Sequence, residues 1–381
     1  MATIAPFAFR PEPLPDELLS SWMLRTAAGM LMKPYDFTHT YWRSKPPALT
    51  RDIDRMAPAN IITGMAEGTG IPLARAYQTT LGGYAGSLFG EMNAQGFAPW
   101  IMPVGVRHRS RQSFGQQFCP KCLAEDERPY FRRAWRIATS SVCVRHEVVL
   151  ADRCPDCGES VAAHRSPRLD RCWKCECALR DAVTRVADPE VLRLQAGFEL
   201  AIKNGWAVLG QGVVHFAPRY FLLVRQLLSL VSHGPRRTRF LRAIGEHRWA
   251  HRMPGGPIEP AGGIEYLTPS ARHDHFAMVA WLLWGWPDLF VEAAQKAGIW
   301  QSWALKDMRD VPWDYQRAVR PDLVRASYQP TDGEISAAIG FLDRTRDRVW
   351  LDELVELIGD NKDLKQKGLV KFVNEFRVMA G

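Results

Sequence analysis

The sequence predicts a mainly α-helical, multidomain protein with a cysteine-rich centre. Three observations predict it. Apolar residues recur at helical spacing on both sides of the middle of the chain. All eight cysteines fall between Cys119 and Cys177. A length of 381 residues suffices for two or three cores. The expected organisation is an N-terminal helical domain over 1–105, a cysteine-rich segment with short strands over 106–185, and a C-terminal helical domain over 186–381.

In the N-terminal domain, "DELLSSWMLRTAAGML" offers Asp16 as a first-turn cap. Leu18, Leu19, Trp22, Met23 and Thr26 repeat on one face behind it. "NIITGMAEGTGIPLARAYQTTL" reads as a helix, a turn at residues 68–70, and a second helix with Pro72 at its first position. That is the outline of a helix-turn-helix DNA reader, and equally of a plain helical hairpin. As a reader, its second helix would present Arg75, Gln78 and Thr79. The glycine- and aromatic-rich stretch that follows, to Gln117, reads as a packed connection and carries Arg107, Arg109 and Arg111.

The cysteine spacing is the most specific signal. Cys119-x2-Cys122 is followed after twenty residues by Cys143-x2-His146. Structural zinc takes four ligands on a tetrahedron, and a CxxC turn brings two thiolates to one ion, so these residues define a closed Cys3His site. A second site opens with Cys154 and Cys157 in "CPDCG", whose glycine suits a left-handed turn. It closes fourteen residues later in "CWKCEC", where Cys172, Cys175 and Cys177 compete for two places. The x2 spacing favours Cys172 with Cys175, whereas Cys177 requires a tighter CxC turn. The segment therefore reads as tandem zinc knuckles, or ribbons, holding two ions. Neither keeps the open position that catalytic zinc needs, and "HEVVL" lacks the second histidine of HExxH.

The formal charge of +8 is concentrated. Residues 106–185 hold 16 Lys and Arg against 10 Asp and Glu, an excess of six that seven thiolates and two dications reduce to three. Attraction to DNA must then come from arginine placement. In "RPYFRRAWR", Arg132, Arg133 and Arg136 alternate with Tyr130, Phe131 and Trp135. The arginines could face phosphates, while the aromatics suit a roof over the metal site better. "GPRRTRFLRAIGEHRWAHR" adds a second cluster led by Arg236, Arg237 and Arg239.

In the C-terminal domain, "ADPEVLRLQAGFELAIKNG" and "APRYFLLVRQLLSLVSHG" read as helices ending at glycine. A proline- and glycine-rich linker lies near 253–265. "HDHFAMVAWLLWGWPDLFVEAAQKAG" gives two apolar helices broken at Pro287, with its tryptophans expected in the core. A second helix-turn-helix outline spans 334–375, its last helix bearing Lys362, Lys365, Lys367 and Lys371, which suit a solvated face better than a phosphate contact.

No phosphate-binding GxxxxGK[ST], GxGxxG or GxSxG motif and no paired catalytic carboxylates stand out, so an enzyme, such as a metal-dependent nuclease, is not expected. The start, "MATIAPFAFRPEP", lacks a signal pattern, and the longest apolar run is too short to span a bilayer, so a soluble cytoplasmic protein with no membrane partner is expected.

Taken in order, "PLPDELLSSWMLRTA", the CPxC, the aromatic-arginine stretch, CxxH and a second CPxC resemble the TniQ family of transposition target-selection proteins, related to TnsD. The resemblance covers residues 5–185 and, more weakly, "WPDLFVEAAQKAG". It implies a bacterial, non-catalytic DNA-binding adaptor that joins the nucleoid when bound to DNA. Such an adaptor couples target DNA, met directly or through a CRISPR guide complex, to an AAA+ regulator of the TnsC or TniB kind. It leaves a homodimer open. It also implies zinc at the two sites, and its usual CxCG ending would select Cys175 with Cys177; Ala178 stands in the place of that glycine. Spacing and resemblance disagree there, and the last ligand stays open. The alternative functions are a protein-only interaction module and a zinc-finger transcription regulator.

Overall fold

The computed structural model describes residues 4–43, 48–93, 96–104, 114–166, 168–209, 212–233, 236–248, 263–305, 315–316, 318–319 and 323. Residues 1–323 form one compact unit. Arg107, Arg109, Arg111, most of the 253–265 linker and the outline at 334–375 with its lysines lie outside the described residues.

The order opens with helices α1 (Leu19–Gly29), α2 (Pro34–Trp42), α3 (Ile53–Met56), α4 (Ala59–Thr69) and α5 (Leu73–Tyr77). The apolar face expected of α1 is realised: Leu18, Leu19, Trp22, Met23 and Thr26 are all buried. With Phe7, Phe37, Ile61, Ile62, Met65 and Ala76 most of them close a first hydrophobic core. Asp16 does not cap α1. It sits outside the helix at φ 57° and turns to the central segment. The first-turn N–H groups find tertiary acceptors instead: Leu18 donates to the Phe131 carbonyl at 2.9 Å, Leu19 to the Thr79 carbonyl at 2.9 Å, and Ser20 to Asp54 Oδ1 at 2.7 Å. Helix α4 ends at Gly70 in the left-handed conformation, φ 80°, and Pro72 precedes α5 as its cap rather than opening it.

The centre contributes α6 (Pro120–Glu125) and the short antiparallel pair β1 (Val142–Cys143) and β2 (Val148–Val149), in register Val142 with Val149. There follow α7 (Pro189–Asn204), the hairpin β3 (Trp206–Leu209) and β4 (Val213–Phe216), α8 (Ala217–His233), α9 (Arg237–Arg248), α10 (Pro269–Trp284), α11 (Asp288–Ala297) and the single turn α12 (Gln301–Ala304). Asp188 caps α7 by accepting from Glu190 N, and Gly205 stops it at φ 79°. The chain is thus mainly helical around two cysteine clusters.

A second core runs without interruption from the cysteine segment into these helices. Phe118, Phe131, Trp135, Val142 and Leu150 share it with Phe198 of α7, Phe221 of α8 and Phe276 of α10. Within it the centroids of Phe198 and Phe276 lie 5.5 Å apart, edge to face. Helix α10 is buried over most of its surface, as suits a helix packed between others, and carries buried Arg272, His273 and His275. One expectation is corrected here: Trp284 is half-exposed, with the Arg193 guanidinium 4.3 Å over its ring, because it lies on the last turn of α10 where packing ends.

The β3–β4 hairpin was not foreseen. Its inward face buries Leu209 and His215, while Trp206, Val208, Val214 and Phe216 point out, paired across the strands as Trp206 with Phe216 and Val208 with Val214. Phe216 is 73% exposed.

Candidate metal centres and nucleic-acid surfaces

The first cysteine cluster is assembled from one helix and one hairpin. Cys119 stands at the cap position of α6 and Cys122 in its first turn, with Pro120 at the first helical position, where its missing N–H costs nothing. The β1–β2 turn supplies Cys143 and His146; Glu147 N closes it on the Cys143 carbonyl at 2.8 Å. His146 Nδ1 lies 3.4, 3.3 and 3.5 Å from the sulfurs of Cys119, Cys122 and Cys143, and Cys122 and Cys143 are 3.7 Å apart. A tetrahedron with metal–sulfur bonds of ~2.3 Å and a metal–nitrogen bond of ~2.0 Å has edges of roughly 3.5–3.8 Å. The donors fit one tetrahedral ion. On the far edge of the imidazole, Nε2 faces Glu125 Oε2 at 2.9 Å.

The second cluster is built from two copies of one turn. In the first copy Gly158 N donates to the Cys154 carbonyl at 3.1 Å and Cys154 N to the Glu159 carbonyl at 2.8 Å. In the second, Glu176 N donates to the Cys172 carbonyl at 3.0 Å and Cys172 N to the Cys177 carbonyl at 2.9 Å. Gly158 and Glu176 occupy matching left-handed positions, φ 67° and 60°. The sulfurs of Cys154 and Cys175 lie 3.5 Å apart and those of Cys157 and Cys172 3.7 Å apart, and the four gather into one ligand-sized group. Cys177 matches Glu159, the residue that closes each turn through its backbone, and its sulfur lies beside the Ala178 carbonyl at 3.7 Å instead. The fold therefore brings Cys172, not Cys177, to the cluster. Lys174 N donates to Cys172 Sγ at 3.4 Å, and its ammonium pairs with Glu159 at 3.1 Å.

The arginines between the two halves of the first cluster each meet an acid of the protein, Arg132 and Arg136 through their terminal nitrogens and Arg133 through Nε. Arg132 grips Asp126 with both terminal nitrogens, at 2.8 and 3.1 Å, and lies 4.2 Å over the Tyr130 ring and 4.7 Å over Trp135. Arg133 Nε donates to Asp16 Oδ1 at 2.9 Å, while Arg133 N and Ala134 N bind the Asp16 carbonyl and Oδ2. Arg136, 1% exposed, reaches Asp52 Oδ2 at 2.6 Å and Asp54 Oδ2 at 3.3 Å. Burial pushes the Asp54 carboxyl up to about 6, against the pull of the Arg136 charge. These contacts join α1 and α3 to the metal segment. The adjoining aromatics Phe131 and Trp135 are core residues and pack edge to face.

The other candidates divide. Arg75 and Gln78 are exposed at the end of α5, whereas Thr79 is buried and donates its hydroxyl to the Ala76 carbonyl. On α9, Arg239 is exposed; Arg237 and Arg236, the residue before the helix, are half-buried, and Arg237 Nε donates to the Val231 carbonyl at 2.9 Å. The residue missed by sequence reasoning is Glu125. Nothing in "CLAEDE" separates it from its acidic neighbours until helix α6 sets its direction.

Fold and clusters together define a helical protein organised around two closed Cys-rich centres, each with four protein donors and each able to hold a metal ion. Its particular relationship is found over residues 8–150, which match the model of the TniQ family. The match contains the whole first cluster and ends before Cys154. No curated protein matches the chain. Among the described residues no helix is long and apolar enough to cross a membrane.

Proposed function

We infer that this chain is a non-catalytic adaptor in DNA transposition. It couples recognition of target DNA, met directly or through a CRISPR guide complex, to an AAA+ transposition regulator. The observation that carries this reading is the TniQ match over residues 8–150, whose N-terminal helices are joined to the segment holding the first metal centre by the Asp16, Asp52 and Asp54 contacts. Zinc is the ion that suits both centres: three thiolates with an imidazole, and four thiolates, at tetrahedral spacing. With four protein donors each, the centres supply rigidity rather than a site for bound water. Their cysteines and histidine fix the turns, and the charge of the ion lets buried thiolates sit side by side.

The test is a pull-down with an AAA+ regulator of the TnsC or TniB kind, with and without duplex target DNA. Capture strengthened by DNA supports the adaptor, and capture of neither overturns it.

A second reading, a module that binds only protein, is favoured by the outward apolar face of the β3–β4 hairpin, since contiguous exposed apolar surface marks protein contacts. Regulator capture that ignores DNA, together with unaltered behaviour of Arg239→Glu, would favour this module over the DNA-binding adaptor.

A further inference from the structure

Two DNA-contact candidates far apart in sequence, Arg75 and Arg133, line one cavity of about 100 Å3 together with Gln78, Thr79 and residues 13–17. We propose that Arg75, Gln78 and Arg133 form a composite notch that binds a phosphate group at the seam between α5 and the metal segment. The inference deepens the DNA-binding half of the adaptor reading and rests on it where the phosphate belongs to a duplex.

The chemistry of the walls carries it. Arg75 is exposed, and its side chain has no hydrogen bond or ion pair among the described residues. Arg133 is held in place before any ligand arrives: its Nε is bound to Asp16 at 2.9 Å, and its guanidinium lies 5.1 Å over the Tyr84 ring. Its terminal nitrogens donate to no described carboxylate. Gln78 adds an amide able to donate beside them. The two acids of the wall are already neutralised and satisfied. Asp16 accepts from Arg133 and Ala134 N; Glu17 pairs with Arg25 at 2.8 Å and accepts from Ser21 and Leu14 N. One free guanidinium, one oriented guanidinium and an amide around a space for several waters suit a tetrahedral oxyanion. Gly83 makes the arrangement sterically feasible, because a Cβ there would stand 2.7 Å from Arg133 Nη1.

The experiment uses the full metal-loaded chain and a random-sequence duplex, with affinity read by anisotropy between about 50 and 200 mM salt. Arg75→Ala should weaken binding about tenfold and lower the slope of log affinity against log salt by about one. Gly83→Ala, which displaces Arg133, should weaken it by a smaller factor with metal content unchanged. If the wild type binds the duplex and Arg75→Ala binds it equally with the same slope, the notch is overturned while DNA binding stands. A parallel arm measures the thermal midpoint in inorganic phosphate. Stabilisation of the wild type but not of Arg75→Ala, without duplex binding, keeps the notch, assigns it to free phosphate and overturns the DNA reading. Binding of neither duplex nor phosphate overturns both.

Discussion

Glu125 Oε2 stands 2.9 Å from His146 Nε2, on the edge of the ring opposite the nitrogen that faces three sulfurs. Arg145 Nη2 donates to the same oxygen at 2.7 Å. A carboxylate in this position fixes which imidazole nitrogen carries the proton, and so leaves Nδ1 free to ligate. Glu125→Ala should lower the metal affinity of the first centre roughly 10- to 100-fold. Competition with a chelator measures it, and an unchanged affinity would show the contact to be incidental.

The second centre makes a sharper prediction. Cys172→Ser should remove one metal equivalent per chain, whereas Cys177→Ser should remove none, because Cys177 closes its turn through a backbone carbonyl. Metal content of the two variants decides it; the reverse result would hand the position to Cys177.

Arg136 is held between two carboxylates in the interior, and cutting a buried pair leaves charges unanswered. Arg136→Met should cost about 3–5 kcal/mol and lower the thermal midpoint on the order of 10 °C. Arg239→Ala, on an exposed stretch of α9, should leave the midpoint nearly unmoved. A comparable loss in both would contradict the internal role of Arg136.

Asp54 predicts a pH dependence. Its carboxyl is raised by burial to about 6, above the ordinary aspartate value, so the folded state holds the proton more tightly than the unfolded chain. The stability it contributes is therefore full below about pH 4 and lost as pH rises through about 6. Relative to the wild type, Asp54→Asn should gain roughly 1.4 kcal/mol per pH unit across that window and level off above it. His164 beside it, lowered by burial to about 4, titrates in both proteins and cancels in the difference. Denaturant unfolding from pH 4 to 7 reads the effect, and a flat difference would contradict it.

Much of this was legible in the sequence because it is local. Spacing located α1, α4, α7, α8 and α11, each with a periodic apolar face, and a continuous apolar run located α10; most end at a glycine or proline. The first metal cluster was legible for the same reason: CxxC and CxxH are turns, and a turn is set by neighbours. The unread parts are tertiary. Asp16 looked like a cap, yet its partners are Arg133 and Ala134. Nor did spacing show that the acids at 16, 52, 54 and 126 meet Arg133, Arg136 and Arg132. The β3–β4 hairpin was missed because "WAVL" and "VVHF" are short and put apolar residues outward and His215 inward, which leaves no apolar-in, polar-out alternation to read.

Elemental analysis of the purified, reduced wild-type chain tests most directly whether paired metal ions organise the centre of this protein. Two equivalents of zinc per chain are predicted. A folded chain carrying no bound transition metal would contradict it.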